Sequence, residues 1–219
     1  VKPGVTTADL DKFAEKATRS MGAKPAFLGY RGYPASLCVS INDEIVHGIP
    51  SPKRAIREGD IVSLDFGAFV EGFCGDSAIT VAVGNVSPAA RRLMDVTRES
   101  LERAISAVRA GVRLGDVSHA VEEYAEKNGM GVVREFTGHG IGRHMHEDPS
   151  IPNYGRPGSG PLLKAGMTLA IEPMLCLGDP GVIVQPNGWT AVSADGSLAA
   201  HYEHTVAVTE DGCDVLSRA

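Results

Sequence analysis

The chain has 219 residues, of which 43% are hydrophobic and 22% are charged, a composition typical of a folded chain with an ordinary core. The net charge of −6 argues against a nucleic-acid-binding surface, and no apolar run approaches the roughly 20 residues of a membrane helix. The four cysteines lack CxxC spacing, which argues against a thiolate zinc site and favours free thiols in a reducing cytoplasm.

Three helices are predicted along the chain. Thr6 and Asp9 have the spacing of a capping box, and a stripe at helical period follows at Leu10, Phe13, Ala14, Ala17 and Met21. Ser87 and Pro88 begin a longer helix with an apolar stripe at Leu93, Leu101, Ala104, Ile105 and Val108. The third helix ends before Asn128 and carries its stripe at Val117, Ala120, Val121, Tyr124 and Ala125.

Strand signals occupy the segments between the helices. They cover 37–41, 44–47, 60–70, 73–83, 131–136, 167–175, 182–185, 189–193, 203–208 and 213–216. Helices followed by runs of strands indicate an α+β fold rather than alternating βαβ units. Because no low-complexity linker divides the chain, we expect one fused sheet.

A repeat organises the sequence. At an offset of 107 positions, Val1, Gly4, Val5, Asp9 and Glu15 recur as Val108, Gly111, Val112, Asp116 and Glu122. The same offset relates Gly59 to Gly166 and Asp65 to Glu172. We therefore expect one catalytic domain with a first half at about 1–86 and a second half at about 87–219. The second copy is preceded by a long helix, so we expect the natural protein to have a matching helix upstream of Val1.

The segment 60–83 reads as a hairpin that turns at Glu71 and Gly72. This turn pairs Asp65 with Ala78 and Gly67 with Asp76, which places Asp65 and Asp76 one diagonal step apart on the same face. Acids are disfavoured in such apolar strands and are expensive to bury without a partner. A shared cation is therefore favoured over two solvated acids.

Two further acids extend this pattern. Glu172 occupies the repeat position of Asp65, and Glu203 enters a strand of β-branched residues. Carboxylates with a few imidazoles suit Mn²⁺, Fe²⁺, Co²⁺ or Zn²⁺, and four acids are enough to bridge two ions about 3.5–4 Å apart.

Histidines cluster in the segment 135–155. His139, between two glycines and beside a predicted strand, is the expected metal ligand, and the glycines would let the backbone pass close to a metal or substrate. His146 is either a catalytic acid or a turn residue, and His47 remains undecided between a structural and a functional role. His119 and His144 are interpreted as structural or surface groups. The stretch matches neither HExxH nor a phosphate-binding loop, and GxSxG is absent from the chain.

Five motifs, in order and without large gaps, resemble the type I methionine aminopeptidases. They are GYRGYPASLCVSINDEIVHGIP, SLDFGAFVEGFCGDSA, GHGIGRHMHEDP, IEPM and YEHT, at 29–50, 63–78, 138–149, 171–174 and 202–205. The resemblance covers essentially the whole chain. It implies the α+β pita-bread fold, in which two pseudo-symmetric halves of helix and antiparallel strands share one curved sheet. It also implies removal of N-terminal methionine by a hydroxide that bridges two divalent metal ions.

The resemblance implies roles for individual residues. The metal ligands would be Asp65, Asp76, His139, Glu172 and Glu203, with Asp76 and Glu203 bridging the ions. His146 would contact the scissile carbonyl, His47 would bind the substrate amide, and Glu172 is placed to transfer the water proton. The methionine pocket would be lined by Phe27, Tyr30, Tyr33, Cys38, Met145 and Trp189.

The expected partners are peptides and ribosome-emergent chains with an initiator methionine, and we expect a cytoplasmic monomer that binds neither nucleic acid nor membrane. Three alternatives remain: a proline-specific peptidase of the same fold, a binding protein that has lost its metals, and a metal-storage protein. The tyrosines near Cys38 fit the first poorly, and the intact ligand positions argue against the second. The neighbouring histidines and the pocket-like segment argue against the third.

Overall fold

A computed structural model describes residues 1–218. Within this range the chain forms three α-helices, α1 (Thr7–Ser20), α2 (Pro88–Ala107) and α3 (Leu114–Lys127). The predicted capping box of α1 is confirmed, because Asp9 N donates to Thr6 Oγ1 and Thr6 N donates to Asp9 Oδ2. Ser87 caps α2 by accepting a hydrogen bond from Ala90 N at 3.1 Å.

The strands of the first half are β1 (Lys24–Pro25), β2 (Cys38–Ile41), β3 (Glu44–Val46), β4 (Ile61–Val70) and β5 (Phe73–Ala82). Those of the second half are β6 (Gly131–Val132), β7 (Gly138–Gly140), β8 (Glu147–Ile151), β9 (Thr168–Ile171), β10 (Met174–Cys176), β11 (Val182–Val184), β12 (Ala191–Ser193), β13 (Ala199–His201), β14 (Glu203–Val208) and β15 (Cys213–Val215).

A sheet built from both halves confirms the predicted α+β class. Its strand order is β1-β4-β5-β14-β9-β7-β8, with β2 beside β4 and β15 beside β14. The halves meet where β5 pairs with β14, so the predicted fused sheet is present. Two smaller sheets, β13-β10-β6 and β11-β12-β3, accompany it, and the second of these also joins strands of both halves.

The structure repeats itself at the offset found in the sequence. Helix α3 lies 107 positions after α1 at both ends. The isolated bridge between Thr6 and Ala55 recurs between Arg113 and Leu162. Strand β1 faces Ala68 and Phe69, and its counterpart β6 faces Leu175 and Cys176 in the same register. The two copies therefore share the positions of a helix, a bridge and a strand pair, as well as identical residues at scattered positions.

The core is divided among several clusters. The largest packs α2 and α3 against the main sheet through residues such as Leu93, Val117, Leu169 and Val206. A smaller one lies under α1 and belongs wholly to the first half. No helix in the described range is both long and apolar enough to cross a membrane.

Part of the predicted stripe of α1 is wrong. Phe13 and Met21 are 74% and 81% exposed. The buried face instead follows Thr7, Leu10, Ala14 and Thr18, whose spacing of three or four residues keeps them on one side of the helix. Phe13 fits the helical period but lies beside this face.

Two predicted strands also differ from the structure. The segment 131–136 is a strand only at Gly131–Val132. The segment 167–175 is interrupted at Glu172 and Pro173, and its two parts, β9 and β10, belong to different sheets. Proline has no N–H to donate to a ladder, so the interruption falls where the sheet loses a hydrogen bond. It leaves Glu172 at the end of a strand.

Candidate metal centre

The acids of the hairpin lie as the turn predicts. Asp65 faces Ala78 and Gly67 faces Asp76 across β4 and β5. Glu203 of β14 faces the same Ala78 from the other side. Asp65, Ala78 and Glu203 therefore form a row across three adjacent strands, and residues in such a row point to one face of the sheet.

His139 reaches this face from the opposite side of β9. It pairs with Ala170, which pairs in turn with Thr205 of β14. The Thr205 hydroxyl donates to Asp76 O at 2.8 Å, which ties this row to the aspartate. Because a carbonyl only accepts, the contact of His139 Nδ1 with Gly140 O at 2.9 Å places the ring proton on Nδ1. The Nε2 lone pair of His139 is then available to a ligand.

Glu172 lies between two imidazoles. Its Oε1 is 3.6 Å from His139 Nε2, and its Oε2 is 3.5 Å from His201 Nε2. Side-chain donor atoms of Asp76, His139 and Glu203 all lie within 4.8 Å of one another. The acids from the first half and the acids and imidazoles from the second half therefore converge at one place.

Burial dominates the electrostatics of this cluster. Desolvation raises the pKa of Asp76 to about 7, and it raises the pKa values of Asp65, Glu172 and Glu203 well above their usual range. The neighbouring charges of Asp76 and Glu172 raise the pKa of Asp65 further. Asp65 Oδ1 is buried and accepts no hydrogen bond from any described residue.

This donor set fits a divalent cation. Buried carboxylates that lack a basic partner are costly, and a bound cation removes that cost by favouring their charged forms. Several carboxylate oxygens with one imidazole nitrogen suit ions of hard to borderline character, as the sequence predicts. The structure brings Asp65, Asp76, His139, Glu172 and Glu203 to the same cavity.

Two more predicted histidines line this cavity. The His146 ring lies 4.1 Å from the His139 ring and stacks on Tyr30 at 5.3 Å, measured between ring centroids. Burial lowers the pKa of His146 to about 4, so the ring is neutral at neutral pH and offers one N–H donor. His47 has a left-handed backbone, with φ 59°, and its ring meets the edges or faces of Phe136 and Trp189. Burial lowers the pKa of His47 as well.

An apolar wall stands beside the carboxylates. All the residues predicted for the methionine pocket line the cavity: Phe27, Tyr30, Tyr33, Cys38, Met145 and Trp189. Two contacts hold the Tyr33 side chain in place: its hydroxyl donates to Gly48 O at 3.0 Å, and its ring packs edge-on against Trp189. The four cysteines are free thiols. The wall is well suited to an unbranched apolar side chain.

The glycines around His139 have a different role from the predicted one. A Cβ on Gly138 would lie 2.4 Å from Ala170 O, and one on Gly140 would lie 2.2 Å from Asp148 O. These two glycines therefore allow the neighbouring strands to approach closely, rather than making room for a metal or substrate. His146 lies in a bend, and the chain then continues as β8, which pairs with β7.

Sequence reasoning missed several cavity residues. Arg31, Val46, Phe136 and Thr137 line it without having been predicted. His201 is a further buried residue beside Glu172, and burial lowers its pKa to about 3. Strand alternation was the available signal, because His201 shares the parity of Glu203. His204 instead contacts Ser217 through Nδ1 at 2.8 Å.

A profile of known peptidases decides the family. The family model described as "Metallopeptidase family M24" matches residues 1–210 of this chain. The chain belongs to metallopeptidase family M24. This membership establishes the pita-bread fold and a metal-dependent peptidase chemistry for a chain whose buried acids fit a cation.

Individual members of family M24 are closely similar to this chain in sequence and structure. A methionine aminopeptidase from Clostridium acetobutylicum is 54% identical over 216 residues, which cover 99% of this chain and 86% of that protein. The crystal structure of a methionine aminopeptidase from Thermotoga maritima superposes with a TM-score of 0.99 at 49% identity, covering 100% of this chain and 88% of that one. A methionine aminopeptidase from Rickettsia prowazekii gives a TM-score of 0.98 at 43% identity, with 100% and 88% covered.

Proposed function

We propose that this M24 peptidase is a methionyl aminopeptidase that removes the N-terminal methionine from nascent proteins and peptides. The observation that carries the proposal is the convergence of five ligand-type side chains, of which Asp76, His139 and Glu203 are buried, at a cavity with an apolar wall. The 54% identity with a methionine aminopeptidase favours this activity over that of a proline-specific peptidase. We also propose a single catalytic domain with halves at about 1–86 and 87–219.

Two divalent ions are proposed, which Asp65, Asp76, His139, Glu172 and Glu203 would hold, and Asp76 and Glu203 would each contribute to both sites. Such ions, when bound, polarise a carbonyl and lower the pKa of a water molecule enough for attack at neutral pH. Mn²⁺, Fe²⁺, Co²⁺ and Zn²⁺ all suit the donors. Anomalous scattering from crystals soaked in Mn²⁺ would give the number of sites, and two peaks at the cluster are expected. A single peak would contradict the dinuclear proposal.

The chain's own side chains complete the proposed reaction. The wall formed by Phe27, Tyr30, Tyr33, Cys38, Met145 and Trp189 accepts the methionine side chain and excludes water from it. The neutral His146 donates its N–H to the scissile carbonyl oxygen as charge develops there, a kind of contact that contributes roughly 3 kcal/mol. His47 hydrogen-bonds the substrate amide, and Glu172 accepts a proton from the attacking water and passes it to the leaving amine.

The biological setting follows from this activity. An enzyme that removes the initiator methionine acts on chains as they leave the ribosome, so we propose a cytoplasmic protein that meets ribosome-emergent chains. We propose that it works as a monomer and binds neither nucleic acid nor membrane directly, which agrees with its net charge of −6.

Peptide turnover tests the activity. The protein loaded with Mn²⁺ is expected to release methionine from Met-Ala-Ser and to leave an Xaa-Pro peptide intact, and chelation should abolish release. Asp76→Asn removes one negative charge from the cluster and is expected to lower kcat/KM by about 100-fold or more. His144→Ala serves as the matched control, because His144 is exposed and lies outside the cavity lining. Undiminished release after complete removal of metal would refute the proposal, and preferred cleavage of the Xaa-Pro peptide would favour the alternative enzyme.

A further inference from the structure

Arg31 differs in charge from the other residues that line the cavity. Of the described residues that line it, Arg31 alone is an arginine or lysine. Its side chain is exposed, and it takes part in none of the ion pairs found within residues 1–218. An unneutralised cation at the mouth of an otherwise acidic cavity is a candidate for binding part of a substrate.

A column of rings connects Arg31 to the buried cluster. His139 lies 4.1 Å from His146, and His146 stacks on Tyr30 with an interplanar angle of 11°. The Arg31 guanidinium carbon then lies 5.3 Å from the centroid of the Tyr30 ring. The column therefore runs from the proposed reacting centre to solvent, and Arg31 forms its outer end.

The backbone of Arg31 is held in an unusual conformation. Its φ of 50° and ψ of 23° lie in the left-handed region, where glycine and asparagine are favoured. The surrounding turn is closed by Gly29 N donating to Tyr33 O and Tyr33 N donating to Tyr30 O, both at 2.9 Å. The turn thus fixes the direction of a side chain at a position where a smaller residue would be less strained.

We propose that Arg31 selects peptides by the charge of their third and fourth residues, favouring acidic side chains and disfavouring basic ones. The proposal rests on the aminopeptidase function given above. With the first residue in the apolar pocket and its carbonyl at His146, an extended chain advancing about 3.3 Å per residue passes Tyr30 and then Arg31. A guanidinium pairs with a carboxylate and repels an ammonium group at that point.

Tetrapeptide amides that differ in one charge provide the test. Met-Ala-Xaa-Gly-NH₂ and Met-Ala-Gly-Xaa-NH₂, with Xaa as Asp, Asn or Lys, keep the α-amine and the small second residue constant. For the wild-type protein, kcat/KM is expected to be about threefold to tenfold higher for Asp than for Lys at one or both positions, as for a solvent-exposed charge pair. The preference should shrink in about 0.5 M salt because exposed charges are screened.

Variants of Arg31 separate charge from structure. The Arg31→Asn variant should abolish the preference. It should not lower the melting temperature, because asparagine tolerates the left-handed backbone at this position. Arg31→Glu should invert the preference, and Arg31→Lys should keep it. Arg143→Asn is the nearby control, because Arg143 lies over the Phe73 ring and outside the cavity lining, and it should leave the preference unchanged.

The outcomes distinguish this proposal from the one it rests on. If the wild-type protein cleaves the Asn peptides but the Asp-to-Lys ratio is the same in Arg31→Glu, the role of Arg31 is refuted and the aminopeptidase function stands. If the wild-type protein with Mn²⁺ cleaves none of the peptides, the proposed function fails, and the selectivity proposal fails with it.

Discussion

The carboxylates that are proposed to bind metal also lower the stability of the metal-free protein. Asp65, Asp76, Glu172 and Glu203 are held where burial raises the pKa of each one. A raised carboxyl pKa means that the folded chain keeps a proton which the unfolded chain has already released. Stability of the metal-free protein is therefore lost as pH rises from the unfolded pKa toward the folded one.

Asp76 gives this conflict a measurable form. Between the unfolded pKa of about 4 and the folded pKa of about 7, Asp76 is expected to lower wild-type stability in chelator as pH rises. Asp76→Asn keeps an oxygen that can accept the Ser77 N–H but carries no charge, so it should melt at a higher temperature than wild type at pH 7.5 in chelator.

Saturating Mn²⁺ should reverse that order, because ligand binding stabilises only the protein that binds it well. Thermal melts of both proteins at several pH values, with chelator and with Mn²⁺, check the prediction. A variant that melts below wild type in chelator at every pH would contradict it.

At the scale of elements, close backbone approach around β7 positions His139. The strand lies between β8 and β9, and Gly138 faces the Ala170 carbonyl at a distance that a Cβ cannot occupy. Any side chain at 138 must push β7 away from β9, which also moves His139 away from Glu172. The fit of the ligand set thus depends on residues that carry no side chain.

Gly138→Ala is therefore expected to destabilise the protein by about 2 kcal/mol or more and to weaken Mn²⁺ binding. The obstructing atom is backbone, so the clash cannot be relieved by a side-chain rotation. Gly75→Ala in β5 is the matched control, because a Cβ there meets nothing within 4 Å. Urea denaturation and titration calorimetry with Mn²⁺ measure the two effects, and equal behaviour of the two variants would show that the close approach has no consequence.

Local signals predicted some elements and failed for others for physical reasons. The turn at Glu71 and Gly72 determines the register of the hairpin, so Asp65 and Asp76 were placed correctly from sequence. The short strands β7 and β8 have no such signal, since the loop 141–146 between them carries no turn motif that would set their register. Likewise, the helical period identifies α1, but only tertiary packing decides that Phe13 lies outside its buried face.

At the scale of the whole molecule, the cluster depends on both halves of the duplicated chain. Asp65 and Asp76 come from the first half, while His139, Glu172 and Glu203 come from the second. The contact between halves is specific: the Ser77 hydroxyl donates to Glu203 O at 2.9 Å and Thr80 donates to His201 O at 2.8 Å. The repeat predicted this symmetry from the sequence, but the small sheet β11-β12-β3, which also joins the halves, lacked a local signal.

Separate fragments 1–86 and 87–219 are expected to bind Mn²⁺ at least about 100-fold more weakly than the intact chain, because each lacks part of the ligand set. The first fragment retains its own small core but exposes β5 as an unpaired edge. Mixing the fragments should restore binding and a cooperative melt. Binding by either fragment alone with the affinity of the intact chain would contradict the shared site.

The spread of the ligands from Asp65 to Glu203 gives a bound cation a second effect. It would act as a removable cross-link that clamps two sheet-forming halves, much as a disulfide bond does in an oxidising compartment. Under metal starvation we expect the halves to separate more often and cellular proteases to degrade the protein faster. Its abundance would then follow the supply of divalent ions as well as its rate of synthesis.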